Sequence, residues 1–250
     1  AARLGPVLVQ TNGRLLATKG LLERLCRAGL GAIEVSLAGA KAALHAWHTG
    51  TEVGFGEATQ GLKAAIASGV PTSVSSVVTR SSYRHLSALV EAASRLGAGA
   101  VHLALARPYG RARAAVQRIV PPASLVQESV QAALLHARRR RLPTFVSGMP
   151  LCLLRGFEES ALELHYPAAE PGREHLPPCE ACTLRAHCPG LPAGLPGALD
   201  LPSLSPEHRD LGDALARARQ RWAEAARLFA GLGAVPAHPA PGAGPAAGSC

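Results

Sequence analysis

Apolar residues fall in two alternating kinds of run over the first 141 positions. Short, nearly continuous runs occur at "VLVQT" (7–11), "AIEVSL" (32–37), within "GVPTSVSSVVT" (69–79) and within "GAVHLALARPYG" (99–110). Longer stretches between them repeat apolar residues every three or four positions: Lys19–Ala28 ending at Gly29, Glu57–Ser68, Tyr83–Leu96 capped by Gly97, and Pro122–Arg141. Runs of the first kind predict buried strands and those of the second predict amphipathic helices. The segment "HAWHTGTEVGFG" (45–56) reads as a loop. Strands alternating with helices of ten or more residues predict βαβ units, hence an α/β fold with a parallel sheet.

In such sheets ligands gather at the C-terminal ends of the strands. The predicted ends are Thr11-Asn12-Gly13, Ser36, Thr79-Arg80 and Arg107 to Gly110. All are polar or turn-forming, as a ligand-binding rim requires. Beyond residue 141 the alternation stops. "LPTFVSGMPLCLLRGFEES" (142–160) offers one short strand and a cysteine, and a Pro- and Gly-rich stretch with three clustered cysteines follows. Residues 206–231 predict one amphipathic helix, with Leu211, Leu215, Trp222, Ala226 and Phe229 near helical spacing, and 234–250 are low-complexity. The expected division is 1–141 for the α/β unit, 142–199 for the Cys-rich module, and 200–250 for a helix and tail.

Composition narrows the picture. Of the 250 residues 48% are hydrophobic but only 4% aromatic, so the core must be built of Leu, Val and Ala. The formal charge of +9 invites a nucleic-acid partner. The arginines are scattered along helices, however, and the one dense run, Arg138 to Arg141, closes a helix with no interleaved aromatic residue. There it suits the helix dipole and solvent, so nucleic acid is disfavoured and an acidic partner stays open. No apolar run reaches membrane-spanning length and no signal peptide opens the chain, so the expectation is a cytoplasmic protein with no membrane partner. Residue 1 is not Met and a strand follows almost at once, as in a chain whose beginning is missing.

Cys179, Cys182 and Cys188 form a C-x2-C-x5-C spacing in "CEACTLRAHC". A Cys-x-x-Cys turn points two thiolates at one centre, and a third five residues on can close the same side. Soft thiolates favour zinc or an iron–sulfur cluster, and spacing does not separate the two. Cys152 is the expected fourth ligand, with His187 as the alternative. Cys26 reads as a small buried helix residue and Cys250 as a free thiol in the tail. His45 and His48, three apart, read as a loop pair without a third ligand.

With these elements placed, "VLVQTNG", "AIEVSLAG" with "HAWHTGTEVGFG", "GVPTSVSSVVT" and "GAVHLALARPYGRA" together resemble the radical SAM superfamily. "CEACTLRAHCPG" with Cys152 is similar to auxiliary-cluster modules of the SPASM or twitch kind. The resemblance covers roughly residues 7–190. It implies strands three to six of a partial (β/α)6 barrel and two cofactors, S-adenosylmethionine and an auxiliary [4Fe–4S] cluster on Cys152, Cys179, Cys182 and Cys188. Ser36 would hydrogen-bond S-adenosylmethionine, with Asn12 at the edge of its cavity. The backbone of Ala106, Pro108 and Gly110 would meet the adenine, and Gln10 and Thr79 would face the substrate.

The implied activity is reductive cleavage to a 5′-deoxyadenosyl radical that abstracts hydrogen from a peptide or protein substrate. A flavodoxin or ferredoxin would be the electron donor. The family's C-x3-C-x2-C and Gly-Gly-Glu motifs are absent from these residues, so the chain alone is expected to be inactive. The rival reading is a zinc-stabilised α/β binding protein with no enzymatic activity.

Overall fold

The computed structural model describes residues 7–165, 173–193, 195 and 204–228. Five strands form one sheet: β1 (Val7–Thr11), β2 (Leu30–Ser36), β3 (Thr72–Val78), β4 (Ala100–Leu105) and β5 (Thr144–Ser147). They lie in the order β1-β2-β3-β4-β5, and every neighbouring pair is parallel. The connections carry α1 (Leu21–Arg27), α2 (Ala42–Thr49), α3 (Gly54–Ala67), α4 (Leu86–Leu96), α5 (Val116–Ile119) and α6 (Ala123–Arg139). The α/β expectation thus holds, and β5 carries the sheet past residue 141. A separate two-stranded antiparallel ribbon joins β6 (Arg173–Glu174) to β7 (Leu191–Pro192), and α7 (Gly212–Ala225) follows.

Register explains the two faces of the sheet. Residues paired across parallel strands share a face. One face carries Ile33, Val35, Val74, Val78, Val101, Leu103, Leu105 and Val146, all buried in one cluster with Leu62 of α3, Leu89 and Val90 of α4, and Val126 and Val130 of α6. This is the core, and it is aliphatic as the composition requires. The other face reads Gln10, Glu34, Ser36, Ser73, Ser75, His102 and Ser147. Its lower end, at the strand N-termini, is apolar instead. There Ala100 and Phe145 form a second, smaller cluster with Leu162, Ala225 and Leu228, and Trp222 packs against it. The end of α7 and the turn after it therefore cover the bottom of the polar face.

Four local expectations change. The segment read as a loop at 45–56 is largely helical, because "AALHAWHT" holds no Gly or Pro and α2 stops only where Gly50 turns to φ 70°. Cys26 is exposed on α1, since the core-facing position of that helix is Leu22. Of the basic run, Arg138 is paired with Glu159 at 2.9 Å and Arg140 with Glu91 at 2.6 Å; α6 ends against other elements, so these two side chains find carboxylates as well as water. The C-terminal helix is shorter than 206–231 because the chain tightens into a 3-10 turn at Ala226–Leu228. Phe229 and Cys250 lie outside the described residues.

Candidate functional site

Because all five strands run the same way, Thr11, Ser36, Val78, Leu105 and Ser147 end on one rim. The Thr11-Asn12-Gly13 triplet is a tight turn. The Gly13 N–H donates to Thr11 Oγ1 (3.1 Å), and the Arg14 N–H donates to Asn12 Oδ1 (3.2 Å). Gly13 has φ +76°, and a Cβ there would lie 2.7 Å from Val35 Cγ1, so both conformation and space demand glycine. The turn is pinned to α3 by the Arg14 Nε to Glu57 Oε2 ion pair at 2.5 Å.

Ser36 is exposed on the polar face, with its hydroxyl 3.2 Å from that of Ser75. Asn12 is exposed at the same rim, and Ala106, Pro108 and Gly110 follow β4 there as well. Ala106 is buried and donates its N–H to Val78 O (3.1 Å), while Gly110 is exposed with φ 55°. Gln10 is exposed and donates from Nε2 to Glu34 Oε1 (2.9 Å). Thr79 is buried in the turn after β3: its N–H donates to Ser82 Oγ at 2.9 Å, and its hydroxyl lies 3.1 Å from Ser81 and 3.0 Å from Ser82. The exposed residue that β3 presents on the polar face is Val77.

His45 and His48 sit on α2. Burial and then the neighbouring His48 push His45 below the ordinary imidazole range, and burial does the same to His48. His48 Nε2 lies 2.9 Å from Ser81 Oγ, and His45 Nδ1 accepts the Ala38 N–H (3.3 Å), so both rings organise the loop ends around β2 and β3.

Sequence reasoning passed over Glu34, His102 and Ser147. Glu34 is 3% exposed. Its Oε2 stands 3.5 Å from His102 Nδ1, and His102 Nε2 is 2.8 Å from Ser147 Oγ. The signal was present as period two: Glu34 and Ser36, Ser73 and Ser75, and His102 interrupt otherwise apolar strands at alternate positions. Only register shows that they share one face.

The four cysteines named from the sequence converge. Cys152, Cys179, Cys182 and Cys188 all line one cavity of about 120 Å³, with His175, Leu184 and Leu191 also on its wall. Cys152 enters on a 3-10 turn, Leu151–Leu154, and the other three on the loop between β6 and β7. Backbone N–H groups point at sulfur, from Leu151 to Cys188 Sγ (3.4 Å) and from Glu207 to Cys182 Sγ (3.3 Å). Such donors favour the charged thiolate.

Burial, and then the proximity of Cys188, Cys179 and Cys182, push the Cys152 thiol up to about 12; burial also raises Cys188. His187 is exposed and off this wall, whereas His175 is on it, with Nε2 3.3 Å from Cys188 O.

Among the described residues no three His, Cys, Asp or Glu side chains are gathered tightly enough for one metal ion. A tetrahedral zinc, with bonds of about 2.3 Å, would draw its sulfurs to within about 4 Å of each other. The cavity is several times the roughly 30 Å³ share of a single water. Its four-thiol donor set suits a soft metal centre, zinc or iron–sulfur, once the sulfurs draw together.

No helix among the described residues is long and apolar enough to cross a membrane. Compared with known protein families and with characterised proteins, the chain matches no family model and no characterised sequence.

Proposed function

We propose that this chain is the C-terminal portion of a radical SAM enzyme whose four cysteines hold an auxiliary [4Fe–4S] cluster. The observation that carries the reading is the meeting of Cys152 with Cys179, Cys182 and Cys188 around one cavity, across 27 to 36 positions of sequence. On this reading the parallel sheet, β5 included, is part of a (β/α)6 barrel with its polar face inward, and the residues after β5 that carry Cys152, Cys179, Cys182 and Cys188 supply the Cys-rich module. Ser36, Asn12 and the Ala106–Gly110 backbone, together on the strand C-terminal rim, receive S-adenosylmethionine. Gln10 and its neighbours on the polar face meet a peptide or protein substrate.

When bound, an auxiliary cluster supplies electron transfer or a coordination point for substrate. Around it the backbone donors of Leu151 and Glu207 stabilise negative sulfur, and Leu184 and Leu191 exclude water. The C-x3-C-x2-C motif that generates the radical is not among these 250 residues, so the reading assigns radical formation to another part of the enzyme.

Anaerobic reconstitution with ferrous iron and sulfide tests the cluster. The expected result is about four iron and four sulfide per chain, lost in Cys152→Ala. Stoichiometric zinc without iron in anaerobically purified protein would refute it and favour a zinc-stabilised binding protein. Calorimetry with S-adenosylmethionine should show weak binding that Ser36→Ala weakens further.

A further inference from the structure

We propose that Glu34, His102 and Ser147 form an acid–base relay on the polar face of the sheet. It would exchange a proton with a substrate hydroxyl, thiol or ammonium group seated over Ser75 and Ala104. The inference is independent of the cysteine cavity and of the radical reading.

The geometry brings together the three groups that such chemistry uses: a hydroxyl in hydrogen-bond reach of an imidazole, and a carboxylate at ion-pair distance from the ring's other nitrogen, with neither of those two atoms committed to another hydrogen bond among the described residues. Ser147 Oγ is 2.8 Å from His102 Nε2, and Glu34 Oε2 is 3.5 Å from His102 Nδ1. Gln10 fixes the carboxylate from its other side, donating to Oε1. The residues come from β1, β2, β4 and β5, so a rigid sheet rather than a loop holds the array.

Burial makes the array costly as mere structure. Glu34 Oε2 is buried and accepts no hydrogen bond among the described residues, and the fully buried Ser73 Oγ beside it in register has none either. Buried polar atoms left this way call for a function or a missing donor. Glu34 and His102 are the only ionisable side chains that the five strands place on this face. Of the groups packed against it, His165 lies below, edge-on to Phe145 and stacked on Trp222, and Glu163 is held by Arg173 and the Gly148 N–H.

The upper part of the face is open at Gln10, Ser36 and Val77, which are exposed, and closes toward the relay, where Ala104 and His102 are half-buried and Ser147 is 5% exposed, so the reacting group must reach in past Ala104. In the accepting direction the substrate O–H, S–H or N–H bond breaks. Its proton goes to Ser147 Oγ as the Ser147 proton passes to His102 Nε2, and the Glu34 carboxylate stands against the resulting imidazolium. No electrons are transferred, and the reverse sequence returns the proton. Ser147 is the catalytic residue and Glu34 a positioning residue.

Imidazole 15N NMR on the unaltered chain reads the tautomer directly. The relay requires a protonated Nδ1 toward Glu34 and an Nε2 that accepts from Ser147; the opposite tautomer would overturn it. A second readout is the rate at which diethyl pyrocarbonate modifies His102 at about pH 8, followed by peptide mass spectrometry. Glu34→Gln should slow it about fivefold and Glu34→Asp should restore most of it, because a general base weakens without its carboxylate. Ser147→Ala should speed it by freeing Nε2. Equal rates in the parent and Glu34→Gln, or no reaction of His102 in the folded chain, would mean that the ring serves only structure.

Discussion

Gly61→Ala sets two opposing effects against each other within one helix. In the middle of a helix alanine is favoured over glycine by about 1 kcal/mol. At position 61 of α3, however, an added Cβ would land on the Gly13 carbonyl oxygen and 2.9 Å from its carbon, with Leu16 Cβ at 3.2 Å. The nearest obstacle is backbone, held by its own turn hydrogen bonds, so α3 or the turn must move. Overpacking of this kind costs about 1–3 kcal/mol, and more where the obstacle cannot yield. The clash wins, with a net loss of about 1–2 kcal/mol, or about 2–8 °C in Tm for a chain of this size.

The matched control is Gly56→Ala in the same helix, where an added Cβ meets nothing within 4 Å. There only the propensity gain remains, about 0.5–1 kcal/mol of stabilisation. Urea and thermal unfolding of both variants would measure the difference. A Gly61→Ala chain as stable as the parent, or one indistinguishable from Gly56→Ala, would refute the close seating of α3 on the Thr11-Asn12-Gly13 turn. The same displacement should loosen Asn12 at the rim.

Three further outcomes follow from side chains described above. Because ligation must remove a proton from Cys152, whose thiol is pushed up to about 12, iron retention should fall as pH is lowered from about 8 to about 6; a pH-independent iron content would exclude Cys152 as a ligand. Burial alone would raise the Glu207 carboxyl, but hydrogen bonds from Arg209 and Arg155 outweigh it and hold the group below its usual range. A depressed carboxylate stabilises the fold above its unfolded-state value, and that contribution is lost as pH falls through the folded one, so Glu207→Gln should flatten the acid limb of a Tm-against-pH curve. Glu159, 1% exposed, meets Arg138 at 2.9 Å, Arg221 at 3.5 Å and Arg217 at 3.9 Å. Since Arg138 and Arg217 are about half exposed and can turn to water, Glu159→Leu should cost about 1.5–3 kcal/mol rather than the full penalty of a broken buried pair, read as an earlier change in Trp222 fluorescence on urea titration.

The strands and most helices were legible because period alone separates continuous apolar runs from three-and-four spacing. The helix at Ala42–Thr49 was obscured by flanking glycines and by the His and Trp within it, which drew attention to chemistry instead of propensity. The grouping of Cys179, Cys182 and Cys188 was legible from their spacing, and Cys152, picked out for its loop-like setting upstream of them, lines the same cavity. Glu34, His102 and Ser147 were not, since they stand in three different strands and nothing within one strand points to the others. Their meeting depends on a register, Glu34 with Ser73, Ser75 with His102, and His102 with Phe145, that no local pattern encodes.

The packing of Leu228 beneath the sheet has a kinetic consequence. An added Cβ at Gly99 would lie 2.9 Å from Leu228 Cδ2, so the end of the C-terminal helix sits hard against the foot of β4. With Ala100 and Phe145 sealed there and Gln10, Ser36 and Val77 exposed above, the foot of the polar face is closed to solvent and any partner of that face would have to come from the strand C-terminal rim or across β1. Loosening the C-terminal segment, as by Leu228→Ala, should therefore open a second way in and quicken exchange at the proposed relay.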